Sequence, residues 1–556
     1  MRYEPQNPLI VQSDHSLLLE TMGPHFREVR DKLVRFAELV KSPEYVHTYR
    51  ITPLSLWNAA SAGMEWAEVV EVLTSWSKYD VPPNVPVWVE ETMGRYGRLQ
   101  LLPDGTELRL VADTEALMTE VRHNKATRGL LQDELSPVAS RVYTAHRGEL
   151  KQVLISIGHP VQDLAGYVDG DALEMGMIPV SKAGKEWGLR DYQVDAVDAF
   201  HGDGQVHGGS GVVVLPCGAG KTMVGIGAMT RLGMKTLILC TNVTALRQWK
   251  AEILDKTSLT EDEVGEYSGE NKDIKPVTLS TYQILTWRRS KNDEFVHFGL
   301  FDRQGWGLIV YDEVHLLPAP VFRSVSMLQA RRRLGLTATL VREDGKQGDV
   351  FALIGPKRFD MPWKDLEHQG WIASAQCTEI RIGLAEEDRL RYATSDDREK
   401  YRVASTNPRK GPVVEELMER HAGEKILILG MYVDQLEWIS RRWKLPLITG
   451  RTPQAKRDEL FEDFREGRSN AMVISKVGNF SVDLPDATVA IQISGTWGSR
   501  QEEAQRLGRI LRPKKGANKA WFYSVVTRDS KEQDYAERRQ LFLTEQGYAY
   551  QIDVRK

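Results

Sequence analysis

The chain has 556 residues, 41 % of them hydrophobic and 27 % charged, with a formal net charge of −4. That length holds three or four domains, each able to bury its own core, and the lack of a basic excess excludes a protein that coats DNA by charge alone. Cys217, Cys240 and Cys377 lie far apart without C-x-x-C spacing, which excludes a disulfide framework or a four-cysteine cluster and points to a reducing compartment.

The N-terminus lacks the apolar region of a signal peptide, and no later run approaches the roughly 18 apolar residues of a membrane span. A soluble cytoplasmic protein with no membrane partner is expected. Residues 8–12 read as an extended piece, and Phe26 to Val40 as a stretch of helical period. Thr52 as N-cap with Pro53 at the first helical position starts a helix, and a second runs from about Ala67 to Ser77. Tyr96 to Leu101 is strand-like. Two helices and a small strand pair suit a winged-helix-like accessory domain over 1–130, serving either DNA binding or protein docking. Residues 131–180, with Val142-Tyr143 and Leu150 to Ile157, read as a further small domain or linker.

A longer α/β region, 181–375, opens at Leu189-Arg190-Asp191-Tyr192-Gln193. Gly211 to Leu215 has the composition of a buried parallel strand and runs into Pro216-Cys217-Gly218-Ala219-Gly220-Lys221-Thr222. This reads as a phosphate loop that binds nucleotide, against the plainer alternative of a helix-capping glycine turn. Glycines let backbone N–H groups face the phosphates, the lysine reaches the β/γ oxygens, and the threonine hydroxyl suits Mg²⁺. Leu215 stands where the strict G-x-x-x-x-G-K-[ST] pattern has its first glycine. Leu237 to Thr241 and Val277 to Tyr282 repeat the buried strand. Arg247, Gln248, Thr281 and Tyr282 gather near their ends, a distribution that suits either DNA-backbone contacts or ordinary loop polarity. Leu308 to Tyr311 is another such strand and ends on Asp312-Glu313, at the carboxyl edge where open α/β sheets bind ligands. Given the phosphate loop upstream, Asp312 is read as holding Mg²⁺ through water and Glu313 as orienting the attacking water.

Lys425 to Leu429, Ala471 to Ser475 and Val489 to Ile493 alternate with helices, a second α/β domain over 376–556 without a phosphate loop. Residues 385–420, rich in both signs of charge, read as a helical insertion. Arg506, Arg509 and Arg512 recur every three residues and share one broad face of a helix.

Several motifs stand in order: Leu215 to Thr222, Asp312-Glu313-Val314-His315, Gly335 to Thr339, Arg342-Glu343-Asp344, and Gln505-Arg506-Leu507-Gly508-Arg509-Ile510-Leu511-Arg512. Together they resemble superfamily 2 helicases and, within them, the XPB family of DNA repair helicases in its bacterial or archaeal form. The resemblance covers nearly the whole chain and is weakest over residues 1–40. It implies an α/β fold of two RecA-like parallel-sheet motor domains after a small α+β N-terminal region, with Mg-ATP bound in the cleft between the motors. It implies that Arg190 and Gln193 read adenine, that Arg509 and Arg512 act as arginine fingers, and that Arg506 couples the cleft to the Asp-Glu-Val-His strand. Thr337, Thr339, Ser475 and Lys476 join the DNA and coupling set, and Arg342-Glu343-Asp344 would sit at the DNA fork.

The same resemblance makes 131–180 a shortened damage-recognition domain. It makes 385–420 a thumb that grips DNA, against the plain alternative of a solvated helix pair. The implied activity is 3′ to 5′ helicase action in nucleotide excision repair, on single-stranded or forked DNA, by a nucleoid-associated monomer with a nuclease or other repair protein as partner. Two rivals remain: a duplex translocase with little strand separation, and a DNA-binding scaffold with weak ATPase activity.

Overall fold

The structure, a computed structural model, describes residues 3–41, 45–61, 63–105, 107–164, 170–202, 208–285, 287, 296–297, 304–314, 330, 332–338, 350, 354–355, 357–384, 386–475, 487–495, 500–511 and 518–555. The chain forms two compact units, the first drawn mainly from residues up to Asp360 and the second mainly from Met361 onward.

In the first unit, β1 (Leu9–Val11), β2 (Ser16–Glu20), β3 (Glu38–Lys41) and β4 (Val46–Arg50) form a sheet in the order β1-β2-β4-β3. β1 and β4 run antiparallel to β2, with Leu9 opposite Leu19 and Leu17 opposite Tyr49. Alternation puts Leu17, Leu19 and Tyr49 on one buried face, covered by helices that include Pro53–Ser61 and Trp66–Trp76. Thr52 caps the first of these, its Oγ1 accepting the Ser55 amide at 3.0 Å. The helix expected over 26–40 stops at Leu33, and the chain becomes β3 by Glu38. Edge pairing wins there over a third helical turn, and the Thr52 hydroxyl donates to the Glu38 carboxylate at 3.0 Å.

A second sheet, order β7-β8-β6-β5-β9, takes β5 (Leu99–Asp104), β6 (Glu107–Ala112), β7 (Glu134–Ser136), β8 (Ala139–Val142) and β9 (Val161–Asp163). Its core joins Leu99, Leu101 and Leu110 to Val142, Leu154 and Val161. The expected boundary at 130/131 therefore cuts through one sheet: strands from both sides of it share a ladder, Leu110 opposite Ser140. Neither the winged-helix expectation nor a separate 131–180 domain describes this arrangement. From Asp171 the chain lies along the first motor domain. Asp171 pairs with Lys235 at 2.6 Å, and the Ile178 amide bonds the Lys256 carbonyl at 3.0 Å.

That motor domain is a seven-stranded sheet, order β12-β13-β11-β14-β15-β10-β16, with its paired strands parallel. Its members are β10 (Ser210–Val214), β11 (Thr236–Cys240), β12 (Val264–Tyr267), β13 (Val277–Thr281), β14 (Leu308–Asp312), β15 (Arg332–Thr337) and β16 (Lys357–Asp360). Register brings Val214 beside Thr337, Leu336 beside Asp312, and Cys240 beside Thr281. The carboxyl ends of five strands thus share one edge.

The second unit repeats the plan: β17 (Ser374–Ile382), β18 (Ile426–Gly430), β19 (Leu447–Ile448), β20 (Ala471–Ser475), β21 (Val489–Gln492), β22 (Lys519–Thr527) and β23 (Tyr550–Val554), in the order β19-β20-β18-β21-β22-β17-β23 and parallel where paired. It begins earlier than the expected 376. Trp363 meets Tyr548 edge-on with ring centroids 6.3 Å apart, so the helix before β17 belongs to this core. The expected insertion over 385–420 is also narrower. In helix Lys410–Arg420, Val413, Val414 and Leu417 join the central core, and Lys410 pairs with Glu532 at 2.6 Å, both side chains buried. Only helix Glu386–Thr394 buries no residue.

Candidate active site

The phosphate loop leaves β10 at Val214. Gly218 and Gly220 take φ of +81° and +78°, a left-handed backbone that a side chain would strain. Both demanding positions fall on glycines, while Leu215, at the position of the missing pattern glycine, is wholly buried. Gly220 also has no room for a Cβ, which would lie 2.5 Å from the Gln193 amide nitrogen. Gln193 is 3 % exposed, and its side-chain oxygen accepts the Arg190 amide at 2.9 Å. The Arg190 guanidinium donates to the Tyr192 hydroxyl at 3.0 Å. The proposed adenine-reading pair is thus built onto the loop that leads into Lys221–Leu232.

At the first turn of that helix stand Lys221 and Thr222, where backbone N–H groups point outward and suit phosphate. Lys221 Nζ lies 3.4 Å from Glu313 Oε1. Glu313 sits just past β14 with φ of +48°, a conformation that strains a non-glycine residue and is typical of functional sites. Beside it, the Asp312 carboxyl is pushed up to about 6, first by desolvation and then by the Glu313 charge, against the pull of Lys221 and a hydrogen bond from Trp249.

Two aromatic side chains, Trp249 on helix Val243–Lys256 and Tyr282 just past β13, hold Asp312. Trp249 Nε1 donates to Asp312 Oδ2 at 3.1 Å, and the Tyr282 hydroxyl donates to the Asp312 carbonyl at 2.7 Å. Two carboxylates crowded against one lysine, with a threonine hydroxyl on the adjoining helix, are the hard oxygen donors that Mg²⁺ takes. The residues present fit the ion, and Asp312 and Thr222 are the ones that would hold it.

The remaining expected residues divide. Arg247 is exposed and pairs with Glu270 at 2.5 Å, and Gln248 is half-buried. Thr281 and Thr337 are buried at the sheet edge, so their hydroxyls are not surface groups, and Ser475 is likewise buried. Arg506, expected to couple the cleft to the β14 strand, is an internal anchor of the second unit. Its guanidinium, 1 % exposed, donates to the Gln492 side chain and to the Ser494 carbonyl at 3.4 Å, and Gln492 in turn donates to Glu503 at 2.9 Å. Arg509 lies on helix Arg500–Ile510. Thr339, Arg342, Glu343, Asp344, Lys476 and Arg512 lie outside the described residues.

The sequence alone left Tyr282 between a DNA contact and ordinary loop polarity and did not reveal Trp249 as a carboxylate partner. The available signal was an aromatic residue after β11 and another after β13, one of which, β11, is paired directly with the acidic strand.

Three family models match: "Helicase conserved C-terminal domain" over residues 9–136, "Type III restriction enzyme, res subunit" over 186–342, and "ERCC3/RAD25/XPB C-terminal helicase" over 366–555. The chain is 55 % identical over 548 residues to the "DNA 3'-5' helicase XPB" of Kineococcus radiotolerans, covering 98 % of this chain and 96 % of the relative. It belongs to the XPB family. The protein of the same name from Mycobacterium tuberculosis is 53 % identical, with 98 % and 97 % covered. An XPB relative from Enterocytozoon bieneusi, a "General transcription and DNA repair factor IIH helicase/translocase subunit", is 34 % identical, with 98 % and 92 % covered. XPB kinship therefore spans both units and the accessory sheets.

Proposed function

We infer that the chain is an ATP-driven 3′ to 5′ DNA helicase or translocase of the XPB type, acting in DNA repair. The observation that carries this reading is the Lys221–Glu313 pair, 3.4 Å apart, beside the raised carboxyl of Asp312 at the carboxyl edge of the first motor sheet. In the proposed cycle Lys221 binds the β/γ phosphate oxygens, and the loop entered at Pro216 wraps the phosphates with the backbone N–H groups of Cys217 to Gly220. Glu313 orients a water for in-line attack on the γ-phosphorus. The bond to the bridging oxygen breaks, ADP leaves with that electron pair, and the water's proton passes to Glu313 and on to solvent. Mg²⁺ on Asp312 and Thr222 would supply charge neutralisation at the phosphates. Arg509 and Arg512 are proposed to stabilise the transferring phosphoryl, and Arg190 with Gln193 to select adenine.

DNA is the proposed partner, with a nuclease or another repair protein beside it, and the protein is proposed to act as a monomer in the cytoplasm near the nucleoid. Among the described residues no helix is long and apolar enough to cross a membrane. One relative is called a "helicase/translocase", which favours a second reading, duplex translocation with little strand separation. ATP hydrolysis measured with single-stranded, duplex and forked DNA, beside strand displacement on a 3′-tailed duplex, tests both. DNA-stimulated hydrolysis with displacement supports the helicase, and stimulation by duplex without displacement supports the translocase. Hydrolysis that ignores DNA defeats both.

A further inference from the structure

Helix Val243–Lys256 follows β11 and carries two kinds of residue on different faces. Arg247 faces outward with 47 % of its side chain exposed, while Leu246, Trp249 and Ile253 face the core. Trp249 is only 2 % exposed, which packing alone would explain. Its polar edge, however, is spent on one specific atom, Oδ2 of Asp312, at 3.1 Å. Its apolar edge meets the helix that begins with Lys221 and Thr222: a Cβ built at Gly225 would lie 2.4 Å from ring atom Cη2 and 3.0 Å from Cζ3. The ring therefore fills the space between the phosphate-loop helix and the acidic strand end. A rigid indole with little rotamer freedom is well suited to fix the distance between them. Asn242 caps the helix start, its side-chain oxygen accepting the Ala245 amide at 2.9 Å, which stabilises the helix that carries the indole.

We propose that Trp249 is a positioning residue for ATP hydrolysis: it orients the Asp312 carboxylate through Oδ2 and transmits to it any displacement of the helix whose outer face carries Arg247 and Gln248. This deepens the motor reading above and rests on it. DNA engaging that outer face would reach the nucleotide site through one ring.

The test uses the full chain with Trp249→Phe, which keeps an aromatic ring but removes the N–H, and Gly225→Ala, which keeps the N–H but displaces the ring. Turnover is measured against ATP and Mg²⁺ concentration, with and without single-stranded DNA, on preparations whose melting transitions are compared with wild type. A hydrogen bond to a charged group is strong enough that its loss should lower kcat with DNA by about tenfold. KM for ATP should stay within about threefold, the Mg²⁺ concentration for half-maximal rate should rise, and the fold-stimulation by DNA should drop. Gly225→Ala should change the same quantities in the same direction. Full DNA-stimulated turnover in Trp249→Phe overturns the proposal, and so does a loss confined to KM. If Trp249→Phe melts early, Gly225→Ala alone decides, and wild-type stimulation in it is equally fatal. Wild-type protein without DNA-stimulated hydrolysis would instead overturn the motor reading, and this proposal with it.

Discussion

Asp312 and Glu313 set two acidic groups against one lysine, and this crowding acts on stability as well as on chemistry. A carboxyl whose folded value is raised from 3.8 to about 6 holds its proton more tightly in the folded state. Stability therefore falls as pH rises through that window, and the deficit persists above it. Asp312→Asn removes the buried charge. It is expected to stabilise the ligand-free protein near neutral pH by roughly 3 kcal/mol at most, and to reduce ATP hydrolysis to background. Melting curves check the sign: the gap over wild type should be largest at pH 7.5 and should shrink toward pH 4. A variant that melts lower than wild type at pH 7.5 would mean that Lys221 and Trp249 already compensate the charge. Lys221→Ala acts oppositely, leaving both carboxylates without their cation. It should abolish ATP turnover while nucleotide-free DNA binding persists. Hydrolysis above about a tenth of wild type would remove Lys221 from the phosphate site, since such groups typically supply several kcal/mol.

At the scale of elements, β9 is held into the second accessory sheet by a buried ionic knot. Asp163 pairs with Arg147 at 2.7 Å and Lys151 at 3.1 Å. Desolvation pushes its carboxyl up, but Lys151 and Arg147 together outweigh that and hold it well below the usual carboxylate range. A depressed folded value contributes stability that is present above about 3.8 and is lost as pH falls through the folded value. Asp163→Asn should weaken this sheet by about 3 kcal/mol at pH 7, because Arg147 stays buried without its counter-charge. The difference should vanish in strong acid. Hydrogen exchange over residues 99–163, read at pH 7 and in acid, follows the local effect without requiring a single global transition. Equal protection of variant and wild type at pH 7 would show that the knot is dispensable.

Elements with continuous apolar runs were legible from residues alone: β10, β11, β13, β14, β18, β20 and β21 begin and end within a residue or so of the runs. Each is a strand of a parallel sheet with nearly every position buried, so the runs are mostly apolar, β13 with its threonines and serine excepted. The accessory sheets were legible only in pieces, β1 and the start of β5, because their strands are short and the pairing between them is not written in any one stretch. In β6, Leu108 and Leu110 point inward while Arg109 does not; β5 is a near hairpin partner, but the partners on the other side, Val142 and Ser140, lie far along the chain. Stretches such as 26–40 fit helix and strand equally well until pairing decides. In the candidate site, Lys221, Asp312 and Glu313 were legible because their chemistry is tied to local sequence. The inward commitment of Arg506 and the Trp249–Asp312 bond depend on tertiary neighbours that no spacing rule encodes.

For the whole molecule, turnover is expected to need both units, since Lys221 opens a helix of the first and Arg509 lies on a helix of the second. Arg509→Ala and Arg512→Ala should each lower kcat about a hundredfold with little change in KM, as groups that act chiefly in the transition state do. Weaker ATP binding with unchanged kcat would exclude a finger role for that arginine. Strand separation should be separable from this chemistry. β15 ends at Thr337, level with Val214 before the phosphate loop and one step past the Leu336–Asp312 pairing. The chain therefore leaves the sheet on the edge that carries the nucleotide site, a few residues before Arg342-Glu343-Asp344. Three consecutive charges there would ordinarily be a solvated turn, whereas XPB membership makes a fork contact the stronger expectation. Replacing all three with alanine should leave hydrolysis stimulated by single-stranded DNA within about threefold of wild type, a change of less than about 1 kcal/mol. Unwinding of a forked duplex should fall by about tenfold or more. Both activities are measured on one preparation with an unaltered melting transition. Parallel loss would mean that the turn couples the motor to its ATPase cycle, and full unwinding would return these residues to an ordinary solvated loop.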